Sequence, residues 1–438
     1  MTRVRPATPT VAFIDQYCAQ YRALFHNVRH FEHFTALHLG LLAETRHKSL
    51  PQLGKTVHTD PQALHHLLAK ADWSVEAVRA QRLELLRQAL GDTPFILCLD
   101  ETGDRKKGHT TDYVAQQYIG NLHTLANGVV AVNAYGVLET TTFPLLFRIF
   151  KPRTRLKPGD VYQTKPQLAI AIVEELVALG FHFRVVLADS LYGESGEFTS
   201  ALHRLGLQYV VAIRSNHGVW MLPGQRVRQT RWRPFDRIFT DGSTEQRFIR
   251  ETIFGTRTPI RYYQITTDPL LLPPETTWDL MTNLPGKIEQ TVGNTCGLRT
   301  WIEYGFKHAK DDLGWADYRV TEYTSIERWW ELVMSAYTLV SLQSPAFATL
   351  GHLGAPPPPA APAELAPSAP VQAHPAWDTS TGWKHSLNNL RLLLQPYVCT
   401  CLLLPWLRML SPPDVQAVQA GLTTLGSLIN TFPLVLPT

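Results

Sequence analysis

Three carboxylates in this 438-residue chain could hold divalent metal ions beside a phosphodiester. Two of them, Asp100 and Asp189, each end a short apolar run that is typical of a buried strand. Sites in open α/β sheets are built at the carboxyl ends of such strands. An Asp in this position can equally cap the next helix, and the sequence leaves that alternative open for both residues.

The third carboxylate, Glu303, lies in a segment that we predict to be helical. Arg299 precedes it by four residues and Lys310 follows it by seven, so all three should project from one helical face. A carboxylate between two cations suits a metal ion beside phosphate, because the carboxylate binds the ion and the cations bind phosphate oxygens. The alternative is a solvated helix face with ordinary pairing between residues four apart.

These residues resemble the Asp-Asp-Glu triad of bacterial insertion-sequence transposases that have an RNase H-like catalytic domain. The resemblance covers roughly residues 20 to 345 and includes the texts LDETGDRKKG, VLADSLYGES and RTWIEYGFKHAKDDLGWADYRV. Arg299, Glu303 and Lys310 match the motif Tyr-x2-Arg-x3-Glu-x6-Lys of the cut-and-paste, hairpin-forming branch. Cys296 stands where that branch has Tyr.

The resemblance implies a metal-dependent DNA transposase. Two Mg²⁺ ions, with Mn²⁺ as the alternative metal, would be held by Asp100, Asp189 and Glu303, with Asp100 bridging. The implied course is nicking at the element end, attack by the freed 3′-OH and insertion into target DNA, with a hairpin on the transposon end. The implied partners are the terminal inverted repeats and the target DNA, and we expect a homodimer on paired ends.

The order of predicted elements favours an α/β fold. We expect an RNase H-like mixed sheet flanked by helices and interrupted by an inserted β subdomain, with helical regions at both termini. The predicted divisions are a helical DNA-binding region (1–92), two parts of a catalytic core (93–213 and 289–345), a β-rich insertion (214–288), a Pro-rich linker (346–376) and a C-terminal helical region (377–438).

Residues 49–70 have the pattern of a helix-turn-helix. Asp60 is a good N-cap, and Pro61 suits the first position of the second helix. That helix should bury its leucines and turn other side chains toward a DNA major groove. The candidates for this contact are Gln62, His65, His66 and Lys70. The alternative is a plain helical hairpin packed on the core.

Further candidates for DNA contact come from basic and aromatic side chains in loops and in the insertion. Guanidinium groups beside aromatic rings suit backbone phosphates together with unstacked bases. The phosphate candidates are Arg105, Lys106, Lys107, Arg153 and Arg155, and the insertion candidates are Trp220, Arg231, Trp232 and Arg233. An arginine-decorated β edge, with its tryptophans in the core of the insertion, is the alternative.

The composition of the chain restricts which other classes of function and location are compatible with it. The net charge is +4, so a DNA-binding surface must come from local clustering of cations. Five cysteines without a CxxC pair fit a reducing bacterial cytoplasm. The sequence has no signal peptide pattern and no glycine-rich phosphate loop, so we expect neither export nor a nucleotide cofactor. The apolar segment 397–407 is short and contains Pro405, so we predict a buried helix rather than a membrane span.

Two other functions remain open at this point. One is an RNase H-like nuclease that cuts without joining DNA, and the other is a domesticated DNA-binding protein with an inactive site. The helical N-terminal region and the insertion disfavour the first, because a simple nuclease needs neither. The complete triad disfavours the second.

Overall fold

The computed structural model describes residues 5–120, 124–238, 243–286, 289–348, 375–407, 409 and 412–429. The helices are α1 Ala12–Ala19, α2 Val28–Leu42, α3 Leu50–Thr56, α4 Pro61–Ala69, α5 Val75–Leu90, α6 Lys165–Ala178, α7 Ser190–Gly193, α8 Gly196–Arg204, α9 Glu289–Gly297, α10 Thr300–Lys307, α11 Tyr323–Ala348, α12 Trp383–Leu407 and α13 Pro412–Ile429. The strands are β1 Phe95–Arg105, β2 Ala115–Ile119, β3 Thr124–Leu138, β4 Thr141–Ile149, β5 Phe183–Ala188, β6 Tyr209–Ile213, β7 Val227–Gln229, β8 Arg233–Ile238, β9 Thr244–Phe254, β10 Arg261–Thr266 and β11 Trp278–Thr282.

The chain divides into two compact units. The helical unit combines Met1–Gly91 and Thr110–Asp112 with Lys307–Thr438, and the sheet unit comprises Asp92–His109 and Tyr113–Phe306. The predicted Pro-rich linker falls mostly on residues 349–374, which lie outside the described part of the chain.

A buried ion pair joins distant parts of the sequence within the helical unit. Glu331 on α11 accepts a 2.5 Å hydrogen bond from Arg82 on α5, and neither side chain is exposed. Arg79 adds a second contact to Glu331 at 3.3 Å. Removing one partner of such a pair leaves an uncompensated buried charge, which is strongly destabilising. The first 92 residues therefore depend on α11 for part of their core.

Helices α3 and α4 form the two-helix unit that the sequence predicts. The Asp60 carboxylate caps α4 by accepting the Gln62 backbone N–H at 3.1 Å. The turn between the helices is tight, because a Cβ on Gly54 would lie 2.5 Å from the carbonyl oxygen of Thr59. Leu64 and its neighbours face the core, so the opposite face of α4 is left to solvent.

The predicted helix over residues 397–407 is confirmed as the second half of α12, but it is only partly buried. The first half of α12 is buried, and Trp383 stacks on Tyr337 at 4.0 Å between ring centroids. The second half continues outward, and Leu402, Leu403 and Trp406 are 43%, 42% and 65% exposed. By length and composition alone, α12 is the one helix among the described residues that could span a membrane. An apolar run predicts a helix here but does not decide what covers it.

The sheet unit is a mixed α/β structure with one 11-stranded sheet. The main path of strands is β2-β3-β1-β5-β6-β11-β10-β9-β7, with β4 paired to β3 and β8 paired to β9. This architecture agrees with the predicted RNase H-like class. Strand β2 forms an edge of this sheet beside β3.

The inserted segment extends this same sheet. Its last strand, β11, pairs antiparallel with β6, with Asp279 opposite Ile213 and Thr282 opposite Val210. Strands β10, β9 and β7 then continue outward from β11. The insertion therefore begins after β6 and ends with β11, which lies directly beside β6 in the sheet.

Candidate active site

Backbone pairing places the two upstream aspartates side by side. Strands β1 and β5 are parallel neighbours, and Leu99 is paired with Ala188. Asp100 and Asp189 each come directly after this pair. Their backbones are therefore neighbours, about 4.8 Å apart in the direction of strand pairing. Strand β1 continues beyond Asp100 to Arg105, well past the apolar run that predicts the strand. The reason is β3, which pairs with β1 along this whole stretch.

Asp189 caps a helix, which is one of the two alternatives that the sequence left open, and it also lies beside Asp100. Its Oδ1 accepts the Leu191 backbone N–H at 2.9 Å and so caps α7. Its carboxylate nevertheless remains close enough to Asp100 to affect that residue electrostatically. The Asp100 Oδ1 accepts the Glu101 backbone N–H at 2.8 Å. Both aspartates are thus oriented by local backbone donors.

Arg299 connects Asp100 to the third carboxylate. Its guanidinium lies 3.4 Å from the Asp100 Oδ2 and 3.8 Å from the Glu303 Oε1. Helix α10 carries Glu303 close to the sheet because Gly305 has no side chain, and a Cβ there would lie 2.9 Å from the ring of Tyr135. Glu303 itself is 58% exposed. The structure therefore brings all three predicted carboxylates into one region of the sheet unit.

Arg299 and Glu303 contact each other at the predicted spacing of four residues, with 3.8 Å between the guanidinium and the Oε1. Residues His308–Asp312 form a π-helical turn after α10. A π turn is wider than an α turn, so the α-helical spacing from which we predicted the position of Lys310 does not continue. Asp312 in this turn is held by His308, Lys384 and Arg391.

Burial and like charge disfavour ionisation of the aspartates. Burial, together with the neighbouring Asp189, raises the pKa of Asp100 to about 7, although Arg299 opposes the shift. Burial and Glu101 likewise raise the pKa of Asp189. A divalent cation would offset this repulsion, and carboxylate oxygens are the ligands that Mg²⁺ prefers. The donor set therefore fits such an ion.

The described residues include no cluster of three or more His, Cys, Asp or Glu side chains already close enough to hold a metal. Asp100 and Asp189 are adjacent, whereas Glu303 reaches Asp100 through the Arg299 guanidinium. The aspartates could supply ligands where they stand, and Glu303 is the exposed member of the set.

A fourth carboxylate, Glu101, lies directly beside Asp100. The Glu101 carboxylate accepts hydrogen bonds from the Lys165 ammonium at 3.0 Å and from the Tyr192 hydroxyl at 3.2 Å. Lys165 begins α6, and Tyr192 is fully buried in α7. The adjacent text Asp100-Glu101 and the Tyr in DSLYG were visible in the sequence. Their connection was not, because it depends on how α6 and α7 pack on the sheet.

The side chains of the sheet unit that we predicted to contact DNA differ in their exposure and in their pairing with other residues. Arg105, Lys107, Arg153 and Arg155 are exposed, whereas Lys106 is paired with Asp104 at 2.6 Å. In the insertion, Trp220 is 82% exposed, and Arg231 and Arg233 are also exposed. Trp232 is half-buried beneath the Arg250 guanidinium at 4.3 Å, so its face is already occupied.

The candidates of the two-helix unit all lie on the solvent side of α4. Gln62, His65, His66 and Lys70 are exposed. Gln62 and His65 also line a cavity of about 360 Å³ in the helical unit, together with Arg319 and Trp329.

Comparisons with known proteins agree with this geometry. A family model described as "DDE superfamily endonuclease" matches residues 20–243, and one described as "Transposase DDE domain" matches residues 154–339. The chain is 53% identical over 329 residues to a protein of Microchaete diplosiphon described as "Probable transposase for insertion sequence element IS701". That match covers 75% of this chain and 87% of the relative.

The raised pKa of Asp100 predicts how stability depends on pH in chelator-containing, metal-free buffer. Its folded pKa of about 7 exceeds the ordinary 3.8, so the folded state binds more protons between these values. Stability should therefore fall as pH rises from 4 to 7. Between pH 5 and pH 8 the free energy of unfolding of the wild type should fall by about 2 kcal/mol more than that of Asp100→Asn. Denaturant titrations measure this difference, and parallel pH curves for the two proteins would contradict it.

Proposed function

The chain belongs to the DDE superfamily of insertion-sequence transposases, and on that premise we propose that it binds the ends of an insertion sequence, cleaves them and joins them to target DNA. The observation that carries this proposal is that Asp100 and Asp189 directly follow the paired residues Leu99 and Ala188, and that Arg299 lies between Asp100 and Glu303. We place this activity in the bacterial cytoplasm, where the element DNA lies.

The proposed chemistry assigns roles to the residues of the site. Two Mg²⁺ ions, or Mn²⁺ in their place, would stabilise the attacking and leaving oxygens of an in-line displacement. Asp100, Asp189 and Glu303 would hold these ions through their carboxylate oxygens. Arg299 already spans two carboxylates, so it is positioned to transfer its hydrogen bonds to a phosphate oxygen.

Other cations would hold the DNA backbone. We assign phosphate contacts to Arg105, Lys107, Arg153 and Arg155, because these side chains are exposed on the unit that carries the site. We keep Lys106 and Lys310 as candidates from the sequence. Trp220, Arg231 and Arg233 are the exposed candidates of the insertion, and Trp232 would support them through Arg250. The hairpin step is proposed from the motif alone, since Cys296 replaces its Tyr.

We expect Asp100→Ala, Asp189→Ala and Glu303→Ala each to abolish cleavage while DNA binding is largely retained. Each change removes an oxygen ligand that the metal-dependent step needs. The measurement is excision and strand transfer from a plasmid carrying this coding sequence with its own flanking genomic DNA.

Asp92→Ala is the matched control, because this carboxylate is fully exposed and should leave activity unchanged. Near wild-type cleavage by any triad variant would remove that residue from the site. Cleavage by the wild type without joined products would instead indicate a nuclease that does not transfer strands.

We expect the exposed face of α4 to recognise the element end. Gln62→Ala and His65→Ala should reduce the preference for end DNA over random duplex, whereas Lys70→Ala should weaken binding to both. If Lys70 contacts a phosphate, its loss should reduce the slope of log K against log salt by about 0.9. Fluorescence anisotropy at several salt concentrations provides both quantities.

These variants are made in the full-length protein, because α5 depends on Glu331 of α11 for its buried partner. Lys55→Ala in α3 is the control on the preceding helix. Equal affinity of the wild type for end and random DNA would reduce the two-helix unit to a structural role.

We also propose that the active form is a homodimer on paired ends, since one triad acts on one end at a time. The outer part of α12 and α13 offers an apolar surface for this contact, including Leu402, Trp406 and Leu425. Leu402→Ser combined with Trp406→Ser should reduce the DNA complex from two copies to one by light scattering. Leu222→Ser, an exposed leucine of the sheet unit, is the control. An unchanged mass would place the interface elsewhere.

A further inference from the structure

Glu101 and Asp100 are consecutive in β1 and therefore project to opposite faces of the sheet. The thiol of Cys98 lies 3.9 Å from the Leu298 carbonyl oxygen. Asp100, two residues later on the same face, lies beside Arg299. Both of these partners come just before α10, so Asp100 faces this helix. Glu101 projects to the other face, where it meets α6 and α7.

Donors from these two helices hold the Glu101 carboxylate. The Tyr192 hydroxyl donates to Oε2 at 3.2 Å, and the Lys165 ammonium lies 3.0 Å from Oε1. Tyr192 is fully buried, and the side chains of Lys165 and Glu101 are each only 17% exposed. A hydrogen bond to a charged group in such a position is stronger than one between neutral groups at the surface. Glu101 thus ties both helices to β1.

Tyr192 belongs to the short helix that Asp189 caps. Helix α7 begins directly after Asp189, whose carbonyl oxygen accepts the backbone N–H groups of Tyr192 at 3.2 Å and Gly193 at 2.9 Å. The Asp189 carboxylate accepts that of Leu191 at 2.9 Å. Asp189 and Tyr192 are therefore parts of one hydrogen-bonded turn, and a shift of the Tyr192 ring would move the Asp189 carboxylate.

Helix α7 depends on its neighbours for its position. A single helical turn has little stability of its own, because the first turn is the costly step of helix formation. On one side α7 packs tightly on β6, since a Cβ on Gly193 would overlap the Ala212 carbonyl oxygen. The Tyr192 ring packs on Phe198 of α8, with 5.6 Å between the ring centroids. The hydroxyl of Tyr192 supplies the link to β1.

We propose that Tyr192 is a positioning residue that acts through Glu101. Their hydrogen bond ties α7 to β1 and so holds Asp189 beside Asp100, where one divalent cation can bind both aspartates. This inference rests on the proposed function. Like charge pushes the two aspartates apart before a cation is bound, and the link to Glu101 opposes that movement from the other face of the sheet. Lys165 holds Glu101 in place for this contact.

The test measures Mn²⁺ binding by the full-length protein without DNA, from the loss of the electron paramagnetic resonance signal of free Mn²⁺. Asp189→Ala defines the binding that does not involve the aspartates, and this part is subtracted. Tyr192→Phe removes only a hydroxyl and no charge, and it should weaken Mn²⁺ binding about tenfold, as is usual for residues that orient metal ligands.

A double-mutant cycle tests whether Tyr192 acts through Glu101. Glu101→Ala should weaken Mn²⁺ binding at least as much as Tyr192→Phe does. In the Glu101→Ala background, Tyr192→Phe should have no further effect, because the hydroxyl has already lost its partner. Two effects that simply add would overturn the action through Glu101.

Lys165→Met tests the same link outside the fully buried positions. Loss of a cation beside the site would by charge alone strengthen Mn²⁺ binding. Weaker binding is therefore the expected result if Lys165 holds Glu101 in position, and stronger binding would overturn this part of the proposal.

Tyr113→Phe is the matched control, because Tyr113 is also buried and donates to a carboxylate, Asp160, at 2.9 Å. Lys151 pairs with that carboxylate, so the control repeats the combination of Tyr, acid and Lys. Tyr113→Phe should bind Mn²⁺ as the wild type does. Wild-type Mn²⁺ affinity in Tyr192→Phe, even with reduced stability to denaturant, overturns the positioning role alone. A wild-type protein that neither binds Mn²⁺ nor cleaves DNA overturns the proposed function as well.

Discussion

The parallel pairing of β1 with β5 is the constraint on which the site depends. Backbone hydrogen bonds set Leu99 opposite Ala188, and this register alone makes Asp100 and Asp189 neighbours. On its other side β1 is paired with β3 through Asp100 and beyond. A slip of one residue would turn the aspartates to the other face of the sheet. The sheet therefore holds together two carboxylates whose charges repel each other.

That repulsion explains how the cations around the site are distributed. Arg299 lies between Asp100 and Glu303, Lys165 is paired with Glu101, and Lys106 is paired with Asp104. Glu101 and Asp104 thus each have their own cation, whereas Asp100 shares Arg299 with Glu303. Both aspartates ionise with difficulty. Raised pKa values of this kind are typical of sites built to receive a cation or a proton. The burial and mutual repulsion of the aspartates reduce the stability of the sheet unit at the position where we propose the chemistry.

The strands that carry the aspartates could be predicted because their apolar runs are local signals. The length of β1 could not, since residues 100–105 are largely polar and become a strand only by pairing with β3. The π turn at His308–Asp312 was equally hidden, because Asp312 is held by Lys384 and Arg391, more than 70 residues away. For residues 397–407 the apolar composition predicted the helix correctly. It did not predict that part of this helix is exposed.

The insertion also supports Glu303, the third carboxylate. This gives a physical reason for the position of the insertion in the chain. It begins after β6 and returns through β11 beside the same strand, so its length does not displace α9 and α10 from the sheet. Helix α9 packs on the insertion, with Gly293 close to the Phe235 ring and the Asn294 side chain accepting the Ile238 backbone N–H at 3.1 Å. Because α9 leads directly into Arg299 and α10, the strands of the insertion also orient the helix of Glu303. A change in the core of the insertion should therefore affect the position of this third carboxylate.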